Sequence, residues 1–337
     1  MTIEAIKKIK KALTLHELAV PVLSHLEHTE EEIQNLIASD KPFINELSQY
    51  MLEYKGKRIR PALLLLIGSE YGQIGPQHIQ ASAVVELIHT ATLVHDDVMD
   101  GAEIRRHKET VNKKWSNHTA VMLGDFLYTR AFNELSNLPD PRPFQMLTQI
   151  TSYMCEGEIM QLYNRFNLNL KREAYDEIIR HKTACLFAAS AWLGAHMSGL
   201  STEKAQLFYQ FGESLGMAFQ IMDDLMDLMG DEHKEGKSLG TDLKQGKMTL
   251  PLIHLMLLEG SDAYKIKELI QKESFSPYST ELRKLLVDSG AVEKTVETAV
   301  AYCTEAQRIL YQLSTNFRYL KHIPDIILHE IPCVAVS

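Results

Sequence analysis

Two acidic runs, Asp96-Asp97-Val98-Met99-Asp100 and Asp223-Asp224-Leu225-Met226-Asp227, place six carboxylates in two copies of one spacing. On a helix, residues four apart stand one above the other, so Asp96 and Asp100 share a face, as do Asp223 and Asp227. Each pair is a two-carboxylate claw. Gly101 and Gly230 follow closely and put both runs at helix C-termini. There the macrodipole disfavours a carboxylate by about 0.3–1 kcal/mol, and like charges at this spacing cost about 0.2–0.5 kcal/mol more. A multivalent cation removes both conflicts. Carboxylate-only sets suit hard ions, and Mg²⁺ usually keeps waters and completes its shell with substrate phosphate oxygens. A single run reads equally well as a solvated helix end. Two runs on two apolar helices point to a metal ion and a diphosphate together.

The basic residues gather around these claws. Gly56-Lys57-Arg58-Ile59-Arg60-Pro61 is a compact cationic turn, and Arg105-Arg106 follows the first claw after five residues. Guanidinium groups match phosphate oxygens two at a time. His89 precedes Asp96 by two helical turns on the same face. Lys182-Thr183 interrupts an apolar helical stretch, and Gln220 lies on the face of Asp223 and Asp227. Gly236-Lys237, Gly240, Asp242 and Gly246-Lys247 form a lysine-bearing segment after the second claw, suited to covering a diphosphate and excluding water. Taken singly, each has a plainer reading: His89 as a core histidine, Lys182 as a lysine reaching the surface, Gln220 as a core-edge amide and the segment as a solvated connector.

The claws need rigid elements beneath them. From Pro76 to Asp100 the apolar residues Val84, Val85, Leu87, Ile88, Ala91, Leu93 and Val94 cover nearly the whole helix circumference, which predicts a buried central helix. Thr202 to Asp227 reads the same way. Gly75-Pro76 starts the first of these helices, and Thr29-Glu30-Glu31-Glu32 reads as a capping box that starts another. No strand-like alternation and no linker is evident, so residues 1–337 read as one all-α domain.

Composition narrows the function. With 45% hydrophobic residues the 337-residue chain can fill a large core, and its net charge of -9 argues against a nucleic-acid partner. Cys155, Cys185, Cys303 and Cys333 form no CxxC pair, in keeping with reduced thiols and a cytoplasmic location. The longest aliphatic run, Ala62 to Ile67, is too short to cross a bilayer, and no signal peptide is evident, so a soluble protein is expected. The basic, amphipathic opening Ile6-Lys7-Lys8-Ile9-Lys10-Lys11 offers transient membrane contact for product release, with a solvated first helix the simpler reading.

From Lys57 to Pro251 the order GKRxRP, His-x6-DDxxD, RR, KT, FQxxDDxxD and GKxxGxDLxxGKxTLP resembles the trans-isoprenyl diphosphate synthases, the polyprenyl synthetases, of long-chain type. The resemblance implies an orthogonal helical bundle of the isoprenoid synthase type with a central cavity, and a homodimer. It implies Mg²⁺ held by Asp96, Asp100 and Asp223. The allylic diphosphate primer would be gripped by Arg105, Lys182, Thr183, Gln220, Lys237 and Lys247, and isopentenyl diphosphate by Lys57, Arg60, His89 and Arg106. The implied reaction is ionisation of the allylic substrate, attack by the isopentenyl double bond and proton loss to a longer trans chain. Lys55 and His107 stand where the family commonly has glycine, and the end Pro332 to Ser337 lacks a basic tail.

In this family an aromatic four or five residues before the first claw blocks the growing chain. Thr92 and Ala91 occupy those places, about 6–7.5 Å down the helix, and predict a long product suited to a quinone side chain. Phe132 offers a deeper floor, although a core aromatic is its simpler reading. Rival readings remain. His95-Asp96 fits an HD-type phosphohydrolase but leaves the second claw unexplained; a class I terpene cyclase shares the first claw but not the second; a non-catalytic subunit would be expected to carry degraded motifs.

Overall fold

The structure, a computed structural model, describes residues 14–54, 56–72, 74–230, 240–257, 280–314 and 316–329. Lys55, Lys237, the basic opening and the C-terminal end from Pro332 lie outside the described residues. The main helices are α1 (Leu23–Ile37), α2 (Pro42–Leu52), α3 (Ile59–Glu70), α4 (Pro76–Met99), α5 (Asn117–Ser136), α6 (Arg142–Tyr163) and α7 (Arg172–Ile179). They continue as α8 (Cys185–Met197), α9 (Thr202–Met229), α10 (Leu250–Met256), α11 (Thr280–Asp288), α12 (Ala291–Leu313) and α13 (Ile323–His329). The architecture is all-α, as expected.

Every residue of α8 from Cys185 to Ala195 is buried, because an apolar stretch with no polar face has no side to offer water. Around it pack α9, α3, α4 and α6, with α12 on the far side of α9 and α5 against α4. The two helices predicted to carry the claws are present. Gly75 caps α4 with Pro76 in its first turn, where a missing amide costs nothing, and Asp100 caps its C-terminus. The α9 helix runs on to Met229, two residues past Asp227.

Thr29 does not start a helix. It is buried in the middle of α1, where its hydroxyl donates to the His25 carbonyl at 2.9 Å, satisfying the side chain inside the ladder. The capping box sits instead at Thr14 and Glu17, which bond each other's main-chain amides at 2.7 and 3.2 Å. A two-strand hairpin, β1 (Ile104–Arg105) and β2 (Lys108–Glu109), is the exception to the helical pattern among the described residues. Its turn residues Arg106 and His107 both have positive φ, 51° and 64°. That geometry closes two-residue hairpins and ordinarily favours Gly or Asn, so His107 takes a backbone conformation that glycine adopts without strain.

Candidate active site

A cavity of about 730 Å³ opens between α4, α6, α9 and the segment from 240 to 249. It brings together Asp96 and Asp100 from α4 with Asp223 and Asp224 from α9. Lys57, Arg60, His89, Arg105, Arg106, Lys182, Thr183, Gln220 and Lys247 line the same space, so every described candidate for holding diphosphate meets there.

The six aspartates divide by role. Burial raises the Asp96 carboxyl against the pull of Lys182, and Glu158 and Asp100 raise it further. Asp100 is flanked by two cations: Arg165 donates to one oxygen at 3.0 Å and Lys247 to the other at 3.2 Å. Lys247 also pairs with Asp242 at 3.3 Å. Asp97 is turned away, buried, and receives Arg105 Nε at 2.7 Å. Burial lifts its carboxyl to about 6, with Arg105 opposing. Asp227 is likewise buried and absent from the cavity lining; it accepts the Asp242 amide at 3.2 Å and the Thr241 hydroxyl at 3.4 Å. The second run is therefore not the symmetric claw that its spacing predicts. Helical phase alone cannot show which carboxylates a neighbouring turn will claim.

A hydrogen-bonded chain ties the second run to the basic residues. The Thr183 hydroxyl donates to Gln220 Oε1 at 2.6 Å, Gln220 Nε2 donates to Asp224 Oδ1 at 2.7 Å, and the Tyr175 hydroxyl donates to Asp224 Oδ2 at 2.7 Å. Burial, then Asp242, push the Asp224 carboxyl upward. Tyr175 and Glu158 were missed in the sequence. Glu158 pairs with Lys182, whose ammonium is raised by Asp96 and Glu158 although burial opposes it. Their spacing from Lys182 carries no motif, so only the packing of α6 and α7 brings them in.

Lys182 and Thr183 sit on a π turn, Arg180–Ala184, between α7 and α8. Such bulges recur at functional sites because they swing side chains out of helical phase. Gly157 of α6 and Gly216 of α9 press on this turn from two sides: a Cβ on Gly157 would lie 2.6 Å from the Lys182 amide nitrogen, and one on Gly216 2.5 Å from the Ala184 Cα.

The opposite wall is cationic. Arg58 is neutralised by Glu30 and Glu86. Arg60 lies over the Phe187 ring at 4.6 Å, its Nε has no hydrogen-bond partner among the described residues, and burial lowers its guanidinium to about 10. His89 is held well below its usual range by burial and then by Arg60, Arg106, Arg105 and Arg58. Repelling cations packed around a neutral imidazole suit an anionic ligand. Thr92, Leu93, Tyr128, Met154, Phe219 and Met222 continue the wall with largely apolar surface. Thr92 itself lines the cavity. Ala91 is fully buried in the core and Phe132 stacks on Tyr128 at 6.4 Å; neither lines the cavity. Tyr128, one helical turn before Phe132, does line it.

The polyprenyl synthetase family profile matches residues 41–284. This chain belongs to the polyprenyl synthetase family. It is 40% identical over 218 residues to the octaprenyl diphosphate synthase of Escherichia coli K12, which spans 65% of this chain and 68% of that protein. It is also 40% identical over 228 residues to heptaprenyl diphosphate synthase component 2 of Geobacillus stearothermophilus, spanning 67% of this chain and 71% of the other. The polyprenyl synthase of Caulobacter crescentus CB15, solved with calcium and isoprenyl diphosphate, superposes with a TM-score of 0.88 at 31% identity, covering 95% of this chain and 98% of that one. The membership makes the chain a prenyltransferase and its fold the all-α isoprenoid synthase fold. No described helix is long and apolar enough to cross a membrane.

The donor set fits the family's divalent metal. Among the described residues no three His, Cys, Asp or Glu side chains are close enough to form a complete cage. Asp96, Asp100 and Asp223 instead face one cavity from two helices. That arrangement suits ions whose remaining ligands are water and phosphate oxygens.

Proposed function

We propose that the chain is an all-trans, long-chain polyprenyl diphosphate synthase, which adds isopentenyl diphosphate repeatedly to an allylic diphosphate primer with Mg²⁺ as its metal. The observation that carries this reading is the meeting, in one cavity, of Asp96, Asp100 and Asp223 with a cationic wall and an apolar wall. Asp96, Asp100 and Asp223 would hold Mg²⁺, which supplies Lewis-acid stabilisation of the departing diphosphate. Arg105, Lys182, Thr183, Gln220 and Lys247 would bind the allylic diphosphate, with Lys237 as a further ligand from outside the described residues. Lys57, Arg60, His89 and Arg106 would orient isopentenyl diphosphate so that its double bond faces the allylic carbon. The apolar wall at Leu93, Tyr128 and Phe219 excludes water from the cationic intermediate.

The long product is supported by the threonine at position 92 on the wall and by the octaprenyl and heptaprenyl relatives. A quinone side chain is the use such a product suits. The free thiols of Cys155, Cys185 and Cys303 accord with the cytoplasm. A homodimer through α5 and α6 is supported by Val121, Met122, Phe144 and Ile159, apolar side chains exposed on those helices; sedimentation should then give twice the chain mass, and Met122→Asp should halve it.

The test is incubation of the purified chain alone with Mg²⁺, labelled isopentenyl diphosphate and an allylic primer, with products resolved by length. Long prenyl diphosphates are expected, and Asp96→Ala or Asp223→Ala should reduce elongation by about 10²-fold or more with the helical signal intact. A cyclic hydrocarbon, release of phosphate without elongation, or silence unless a second component is added would each overturn the reading.

A further inference from the structure

Residues 164–171 connect α6 to α7, and two consecutive residues there make contacts that the family reading leaves unused. Arg165 reaches the first acidic run and donates to Asp100 Oδ1 at 3.0 Å, while Lys247 holds Oδ2 at 3.2 Å. The next residue, Phe166, donates its main-chain N–H to the carbonyl of Gly246 at 2.7 Å. Gly246 is the residue just before Lys247. The Phe166 ring covers Gly246 so closely that a Cβ there would lie 2.6–2.7 Å from ring carbons. The contacts close a ring: Asp100, Lys247, Gly246, Phe166, Arg165 and Asp100 again.

Phe166 is an unusual residue for this duty. Its φ is 61°, a conformation rare for a bulky side chain, and it is 68% exposed, so burial does not account for its placement. Strained backbone persists where its surroundings over-determine it. Here the surroundings are the hydrogen bond from the Phe166 N–H to the Gly246 carbonyl on one side and the Arg165–Asp100 ion pair on the other.

We infer that Arg165 and Phe166 are positioning residues, a two-residue clasp that fastens the Lys247-bearing segment against Asp100 and sets the lysine in place before a diphosphate arrives. The role given to diphosphate rests on the function proposed above. A lysine on an unfastened segment would be ordered only on binding, which weakens affinity without altering the chemical step.

Phe166→Asn keeps the main-chain donor and a residue that tolerates positive φ, and removes the ring. Phe166→Tyr keeps the ring. Hydrogen exchange on the full chain reads residues 240–249, where the Lys247 amide donates to the Asp242 carbonyl at 2.8 Å. In Phe166→Asn, exchange of this segment and KM for the allylic diphosphate should each rise about 5–30-fold, with kcat and KM for isopentenyl diphosphate within about twofold. Phe166→Tyr should match wild type, and Arg165→Met, which opens the other arm, should repeat the exchange result. Unchanged exchange in both opened variants, loosening in Phe166→Tyr, or a fall in kcat with KM unmoved would each overturn the clasp. A wild-type chain that elongates nothing would sink the prenyl-transfer reading, and the exchange data would still judge the clasp.

Discussion

Thr92 faces the cavity and Ala91 faces the core, so the same substitution should act differently at the two positions. Thr92→Phe puts a ring where a growing chain must pass, and chromatography of the products should show shorter chains. Ala91→Phe forces a ring into a fully packed site and should cost about 1–3 kcal/mol of stability in denaturant titration. A shortened product from Ala91→Phe at full stability would contradict this division. His89 carries a pH signature. Its imidazole stays neutral in the folded protein to well below 6.5, through burial and four neighbouring guanidiniums. Unfolding restores its ordinary affinity for a proton, so the unfolded state binds more protons below pH 6.5, and stability is full above that pH and lost as pH falls. The slope for one proton is about 1.4 kcal/mol per pH unit. Thermal unfolding from about pH 7 to 5 should steepen downward in wild type and flatten in His89→Gln; parallel curves would remove His89 from the account.

At the scale of elements, the π turn joins the two halves of the site. It carries Lys182 toward Asp96 and Glu158 and Thr183 toward Gln220, and it holds this phase because α6 and α9 both approach it through glycine. Gly157→Ala must push the turn away from α6, since the nearest atom is the Lys182 main-chain nitrogen at 2.6 Å from the new Cβ. The expected outcome is a loss of about 1–3 kcal/mol in stability together with weaker allylic binding. Calorimetric unfolding and steady-state KM check the two parts. A variant that unfolds earlier but keeps wild-type KM would show that Lys182 does not depend on this packing.

Across the whole molecule the net charge is -9, yet the cavity gathers cations and carboxylates side by side. Neither set is well matched by itself. Mg²⁺ alone meets Asp100 already flanked by Arg165 and Lys247, and a diphosphate alone meets the carboxylates. The two ligands together relieve both conflicts, so inorganic diphosphate and Mg²⁺ should raise the melting temperature by more than the sum of their separate effects. Saturation at a hundredfold over Kd corresponds to about 2.7 kcal/mol for each bound ligand. Additive shifts in a thermal-melt titration would count against a shared metal and diphosphate site.

The central buried helices are legible in the residue pattern, because apolar residues all round a helix leave it no stable place but the interior, and the acidic and basic groups are recognisable as site chemistry because their spacings are local and chemically specific. The sequence did not determine which carboxylates of the two runs would reach the cavity. Asp97 and Asp227 share the spacing of their neighbours, but Arg105 claims one and the turn at Thr241 and Asp242 the other. The start of α1, the side to which Ala91 faces, the π turn under Lys182 and the clasp at Arg165 and Phe166 likewise follow from how the helices pack. Each depends on partners distant in the chain or on competition between alternative caps, and helical periodicity carries no information about either.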